Sequence, residues 1–255
     1  MTELNYITEG NPSGPALVLA HGLATDCQMW ADAAGHLGEY FRIIRYDSRG
    51  HGRTPAGAVG FTLEDLAQDV IRLLDILQIE SAAFAGLSMG GMVGMTLALS
   101  GSDRISSLIV CNARGDAPEA YRNSWDDRIA KVRANGVAAI ADATINRWFT
   151  SEFLGDPAKV AKVREMMLRT SVDGYCFSAA ALKALNCTPR LPSMSIPAMF
   201  LTGAEDVGAP VETMREMHRL TPGSRFEVIS GAGHISALEQ PLKVAEAILS
   251  FHKEL

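Results

Sequence analysis

Short apolar runs alternate with stretches of helical periodicity along this chain. Ala16–Ala20, Arg42–Tyr46, Ala82–Ala85, Ser107–Val110, Ala198–Leu201 and Arg225–Ile229 are each brief, and most are followed by Gly, Asp or Asn. That rhythm predicts parallel strands joined by crossover helices. Between the second and third runs, Thr62 and Asp65 have the spacing of a capping box, and Leu63, Leu66, Val70, Leu73, Leu74 and Leu77 recur at helical spacing. A helix is therefore expected to lead into the strand at Ala82. From about Ala113 to Arg190 the strand rhythm stops, and the segment reads as several helices rich in alanine, arginine and methionine. Strand pattern resumes after Pro192 and Pro197. The core is thus expected at 1–112 and 191–255, with 113–190 a helical cap over the C-terminal edge of the sheet, where open α/β sheets bind ligands. A passive structural excursion is the plainer alternative, but long insertions in such folds more often cover a site.

Composition narrows the class. A chain of 255 residues fits one large α/β domain with an insertion, and core size is not limiting. With 47% hydrophobic and 20% charged residues it reads as an ordinary soluble protein, and no stretch reaches the ~20 apolar residues of a membrane span. Met1–Tyr6 lacks the basic start and apolar stretch of a signal peptide, so a cytoplasmic location is expected. The four cysteines, Cys27, Cys111, Cys176 and Cys187, are far apart and show no metal or redox spacing, which predicts buried thiols. A net charge of −6 argues against nucleic acid as a partner. The charge is uneven, however: residues 113–190 hold 12 basic and 9 acidic side chains, so the expected cap is the basic part of an acidic protein.

Chemistry is concentrated at Gly86-Leu-Ser-Met-Gly-Gly91, between the run ending at Ala85 and the helical pattern of Met92–Leu99. A serine on a sharp strand-to-helix turn takes up a strained backbone, and glycines two residues away on each side leave room for it. Ser88 would project its hydroxyl over a helix N-terminus, with backbone N–H groups aimed at a developing oxyanion. Taken alone, the same residues could be a small-residue turn. A serine nucleophile also needs a general base and an acid to hold that base.

Of the six histidines, His234 lies in Gly231-Ala-Gly-His234, after the last strand, where a loop could bring it over Ser88. His36, His218 and His252 read as solvated surface groups, and His21 and His51 as loop-structuring ones. The acid should follow the preceding strand, within Leu201–Pro210, where Asp206 is preferred to Glu205 because its short side chain sits in the turn. An acid after Val110 would be a variant arrangement, but position 112 is Asn. Oxyanion donors are expected from the backbone N–H of Met89 and, after the first buried strand, of Leu23. No metal or organic cofactor is required.

Five motifs now stand in order: Ala20-His-Gly22, Tyr46-Asp-Ser-Arg-Gly-His-Gly52, Gly86–Gly91, Gly203-Ala-Glu-Asp206 and Gly231–His234. Together they resemble the α/β-hydrolase fold family over essentially the whole chain, which implies a mostly parallel sheet with helices on both faces and a cap inserted after the sixth strand. Within that family, Ser124–Arg133, Ile145–Phe149, Asp173–Tyr175 and Gly233–Pro241 resemble 3-oxoadipate enol-lactonases. The resemblance implies a serine hydrolase that opens a small carboxylate-bearing lactone or ester through an acyl-enzyme. Its partner would then be a small anionic molecule, with no nucleic acid or membrane, and a homo-oligomer is left open.

Arg128 and Arg147 are the candidates for gripping the carboxylate, against the plainer reading of surface arginines paired with Asp126, Asp127 or Asp142. Trp125 and Trp148 either wall the pocket or hold the cap on the sheet. One departure is Asn112-Ala-Arg-Gly-Asp116, which puts Arg114 near the expected pocket mouth and suggests a second anionic group or a different ester. A general carboxylesterase, a carbon–carbon bond hydrolase of the same fold and a ligand-binding receptor with little turnover are the alternatives.

Overall fold

In the computed structural model, which describes residues 3–255, every predicted strand forms, three of the six longer than the apolar run that announced them. They are β2 (Ala16–Ala20), β3 (Arg42–Tyr46), β4 (Ala82–Leu87), β5 (Ile105–Cys111), β6 (Ala198–Gly203) and β7 (Arg225–Ile229). A further strand, β1 (Tyr6–Gly10), precedes them and was not legible in the apolar pattern. It runs antiparallel to β3 at the sheet edge, and none of its five residues is fully buried. An edge strand needs no continuous apolar run, because one side of it faces water.

The sheet has seven strands in the order β1-β3-β2-β4-β5-β6-β7, parallel apart from β1. The order reverses between β2 and β4, which are paired with Ala20 opposite Gly86. A crevice therefore opens beyond the C-terminal ends of these two strands, at the switch point where such sheets bind ligands. Ser88 and Leu23 both stand at this crevice because each follows one of the two strands directly.

Helices cover both faces: α1 (Ala31–Leu37), α2 (Leu63–Ile76), α3 (Met89–Leu99), α4 (Glu119–Asn135), α5 (Ala138–Trp148), α6 (Ser151–Leu154), α7 (Pro157–Leu168), α8 (Val172–Lys183), α9 (Val211–Leu220), α10 (Ser236–Glu239) and α11 (Pro241–His252). All eleven residues of α3 are buried, because it packs on β4 and β5 with α2 over it. α2 is amphipathic and begins with the capping box: Thr62 Oγ1 accepts from Asp65 N–H at 3.1 Å, and Asp65 Oδ2 accepts from Thr62 N–H at 2.8 Å. Thr62→Ala removes half of that box and is expected to lower unfolding free energy by about 1 kcal/mol. A urea midpoint shift at unchanged slope would measure it.

Helices α4 to α8 lie between β5 and β6. They follow the fifth strand of the chain, not the sixth as the family resemblance implied, because only one edge strand precedes β2 here. All four cysteines are free and buried. No helix among the described residues is long and apolar enough to cross a membrane.

Candidate active site

Ser88 sits between β4 and α3 with φ 54° and ψ −113°, a left-handed conformation that costs a non-glycine residue of order 1–3 kcal/mol. Packing holds it there. A Cβ on Gly86 would collide with the Gly90 carbonyl, and one on Gly90 with the Ala20 carbonyl, so strand, elbow and helix approach at backbone distance. Ser88 N–H donates to Cys111 O at 2.8 Å, which ties the turn to the neighbouring strand.

Above the elbow, the Ser88 hydroxyl lies 3.0 Å from His234 Nε2, and His234 Nδ1 lies 2.9 Å from Asp206 Oδ2 and 3.0 Å from Oδ1. An ionised carboxylate only accepts, so Nδ1 carries the proton and Nε2 accepts from the serine hydroxyl. These three residues come from positions 88, 206 and 234, and the sheet brings them into one line at its C-terminal edge. Burial pushes the Asp206 carboxyl upward, but the His234 imidazole and the hydrogen bonds from His234, Asn112 Nδ2 and Ala209 N–H outweigh it. The carboxyl is held at about 2. It is therefore ionised throughout the neutral range. Glu205 is exposed beside it and takes no part.

Residues beyond the three hold this line in place, and the sequence assigned none of them that part. Asn112, at φ 49°, donates through Nδ2 to Asp206 Oδ2 at 2.9 Å and to Gly233 O at 3.1 Å, while its Oδ1 accepts from Ser236 Oγ at 2.6 Å. Glu239 accepts from Gly233 N–H at 2.5 Å and from Thr150 N–H and Oγ1 at 2.9 and 2.8 Å, which joins the histidine loop to the end of α5. His234 N–H also donates to Trp148 O at 2.6 Å. Only the Asn at 112 had stood out, as the position where a variant acid would lie. It reaches Asp206 itself.

On the other side of Ser88, Gly22 lies so close that an added Cβ would sit 3.5 Å from Ser88 Cβ. Its loop is braced by His21, whose Nδ1–H donates to Gly22 O at 2.7 Å and whose Nε2 accepts from Ser48 N–H at 2.9 Å. Burial holds the His21 pKa down, and His51, 5.1 Å away, is pushed to about 3 by burial and then by His21, so both rings are neutral. Leu23 lines the cleft, and among the described residues no acceptor receives its N–H. Met89 is the first residue of α3, so its N–H has no intrahelical partner and can point to the same place. The Met89 side chain is wholly buried and does not reach the cleft.

The cleft over Ser88 and His234 is walled by residues of the inserted helices. Trp125 (α4) and Trp148 (α5) both line it, and Trp148 stacks on the His234 ring at 6.4 Å between centroids. Arg114, Arg128 and Arg147 line it as well. Of the three carboxylates that might have paired with the last two, Asp126 is engaged with Lys183 and Asp142 with Arg164, while Asp127 is exposed and pairs with neither arginine. Among the described residues neither Arg128 nor Arg147 has a carboxylate partner. Arg128 lies over the Trp125 ring at 4.7 Å, and Arg147, whose residue is exposed as a whole, has its guanidinium pKa drawn down by the partial enclosure of its charged end and then by Arg128. The surface histidines are less uniform than expected. His36 is exposed, but His218 accepts or donates at 2.8 Å to Ser224 Oγ against Phe226, and His252 packs edge-on to Phe41.

A serine, a base with a free Nε2 and an ionised acid in line, beside two unengaged N–H donors, can transfer an acyl group to the serine and then to water. Residues 15–241 match the alpha/beta hydrolase fold family. The chain is 36% identical over 249 residues to 3-oxoadipate enol-lactonase 2 of Acinetobacter baylyi, across 96% of this chain and 91% of that one. It is similar to the crystal structure of the enol-lactonase from Burkholderia xenovorans LB400, with a TM-score of 0.93 and 35% identity over 99% of this chain and 97% of that one. A thermophilic esterase from Thermogutta terrifontis, solved with malate bound, gives a TM-score of 0.93 and 32% identity over 99% and 94% of the two chains.

Proposed function

The chain belongs to the α/β hydrolase family, and from that premise we propose that it is a serine hydrolase opening a small enol-lactone that carries a carboxylate, as 3-oxoadipate enol-lactone does. The observation that carries this reading is a complete serine–imidazole–carboxylate line facing a cleft whose Arg128 and Arg147 have no carboxylate of their own. The likeness to two enol-lactonases of about the same length supports it.

In this mechanism Ser88 Oγ attacks the lactone carbonyl while His234 Nε2 takes its proton. Negative charge develops on the carbonyl oxygen and is stabilised by the Leu23 and Met89 N–H groups. The acyl–oxygen bond of the ring then breaks, the enol oxygen takes the proton from His234, and the enol tautomerises to a ketone. Water next attacks the acyl-Ser88 ester, with His234 again as base, and releases a second carboxylate. Asp206 stays ionised and stabilises the imidazolium in both halves. Arg128 and Arg147 bind the substrate's own carboxylate and so orient the ring over Ser88.

The test is a comparison of specificity constants for a carboxylate-bearing enol-lactone, followed by loss of its ultraviolet absorbance, and for 4-nitrophenyl acetate. The lactone is expected to be preferred by about a hundredfold, and Arg147→Gln with Arg128→Gln to reduce that preference about tenfold or more, chiefly through KM. A preference for the neutral ester that the double variant leaves in place would overturn the reading. A carboxylesterase for acidic esters is the second reading, favoured by the likeness to the malate-bound esterase. It would show as faster turnover of 4-nitrophenyl hydrogen succinate than of the enol-lactone.

A further inference from the structure

Arg114 has no role in the scheme above, yet it is the most firmly built of the cleft arginines. It stands in the loop between β5 and α4, which is tied down on both sides. Ala113 N–H donates to Met214 Sδ at 3.3 Å, Gly115 O accepts from Cys187 and Thr188 N–H at 2.7 and 2.9 Å, and Asp116 bridges to Asn186. The Arg114 guanidinium lies over the Tyr121 ring at 5.2 Å, with 20% of the side chain exposed. Its Nε is buried and has no hydrogen-bond partner. Among the described residues the only carboxylate within 4 Å of it is Asp116, whose oxygen is 3.9 Å from Nη2 and whose side chain is half exposed. Such a contact is long and screened by water, and it leaves the charge largely uncompensated.

The cations are also ordered. From Arg114 the chain of contacts passes to Tyr121, edge-on to Trp125 at 5.5 Å, and from Trp125 to Arg128 at 4.7 Å. Two guanidiniums are thus held apart by two aromatic rings, each facing the same cleft as Ser88. Arg114 and Arg128 lie over different rings of this series, and each lines the cleft on its own. With a single carboxylate gripped by Arg128 and Arg147, Arg114 would remain a largely buried cation with an unpaired donor, which is costly. A second anion removes that cost. A guanidinium on a rigid loop, offering a planar set of donors, suits a carboxylate in particular.

Resting on the serine-hydrolase reading, we propose that the substrate carries a second anionic group and that Arg114 binds it, so that the cleft accepts lactones or esters with two free carboxylates. The substrate carboxylate then supplies the close counter-charge that Asp116, 3.9 Å away, does not. Arg114 is then a specificity-determining residue whose contribution depends on the number of carboxylates presented.

Three lactones on one ring test this: γ-butyrolactone, 5-oxotetrahydrofuran-2-carboxylate and 5-oxotetrahydrofuran-2,3-dicarboxylate, which carry no, one and two carboxylates. Proton release in a pH-stat gives kcat/KM for each. The dicarboxylate is expected to exceed the monocarboxylate by about tenfold or more, and Arg114→Gln to bring that ratio down to about one, with Arg114→Lys recovering part of it. A ratio near or below one in the parent, or a ratio that Arg114→Gln leaves intact, overturns the proposal. Calorimetric titration of the same lactones into Ser88→Ala protein reads the ratio without turnover, and the same tenfold difference in Kd is expected there. Turnover that survives Ser88→Ala would defeat the serine-hydrolase reading, and the binding ratio would still decide the role of Arg114.

Discussion

Ser88→Ala is expected to lower kcat by roughly 10⁵-fold or more, leaving only what the oxyanion donors and the cleft contribute. The reason is local. Among the described residues the one hydrogen-bond partner of His234 Nε2 is Ser88 Oγ at 3.0 Å. Without it, water would have to attack the substrate directly, with no covalent step to divide the barrier. The fold should tolerate the change, because the strained φ of 54° is imposed by the packing of Gly86 and Gly90 and the only side-chain partner lost is His234. Substrate affinity measured on the variant should stay close to the KM of the parent when acylation limits turnover. A fluorophosphonate probe read by intact mass should label the parent once and leave the variant unlabelled. Parent-like turnover in Ser88→Ala would exclude Ser88 as nucleophile.

Asp206→Asn is expected to cost about 10⁴ in kcat while leaving KM within a few fold. The surroundings of this residue decide which way the new amide would turn. Oδ1 accepts from Gly208 and Ala209 N–H at 2.7 and 3.0 Å, so the amide oxygen must stay there and the NH₂ must take the place of Oδ2. That NH₂ would face His234 Nδ1 as a donor, forcing the proton onto Nε2, where it can no longer accept from Ser88. It would also oppose the Asn112 Nδ2 donor now 2.9 Å from Oδ2. Stability should change with pH in a defined direction. The folded carboxyl, held at about 2, lies below its unfolded value of about 3.9, so its ionisation stabilises the fold above that value and the contribution is lost as pH falls toward 2. The stability gap between parent and Asp206→Asn should therefore be full at pH 7 and shrink between about pH 4 and 2 in urea titrations. A gap that persisted unchanged at low pH would mean that packing, not charge, accounts for the difference.

The course of the backbone at the elbow was legible because it is a local matter. Gly86 and Gly90 flank Ser88 within two residues, and the exclusion Gly86 relieves lies within the turn itself, although Gly90 also makes room for Ala20 of β2. Strand and helix periods are local in the same way, which is why the buried strands β2 to β6 could be read; of the two edge strands, β7 keeps Phe226, Val228 and Ile229 and could be read, while β1 could not. At an edge, polar residues satisfy one face and the apolar signal fades. His234 and Asp206 were suggested by their positions after successive strands, since a parallel sheet delivers every strand end to one edge.

Side-chain pairing is of another kind. Asn112 and Asp206 are 94 positions apart, and Glu239 and Thr150 are 89 apart; neither pair has a period, a spacing or a turn signature that could announce it. Whether Arg128 and Arg147 are paired surface groups depended on where Lys183 and Arg164 would fall, because each takes a carboxylate the cleft arginines might have had. The α/β fold, the glycine-framed serine and the basic character of residues 113–190 follow from neighbouring residues, since composition and short-range sterics act within them. Which of those basic groups remain unneutralised in the cleft, and which polar groups brace the histidine, follows from the folded arrangement, because electrostatic compensation depends on distances that exist only after the sheet and the inserted helices have closed on one another.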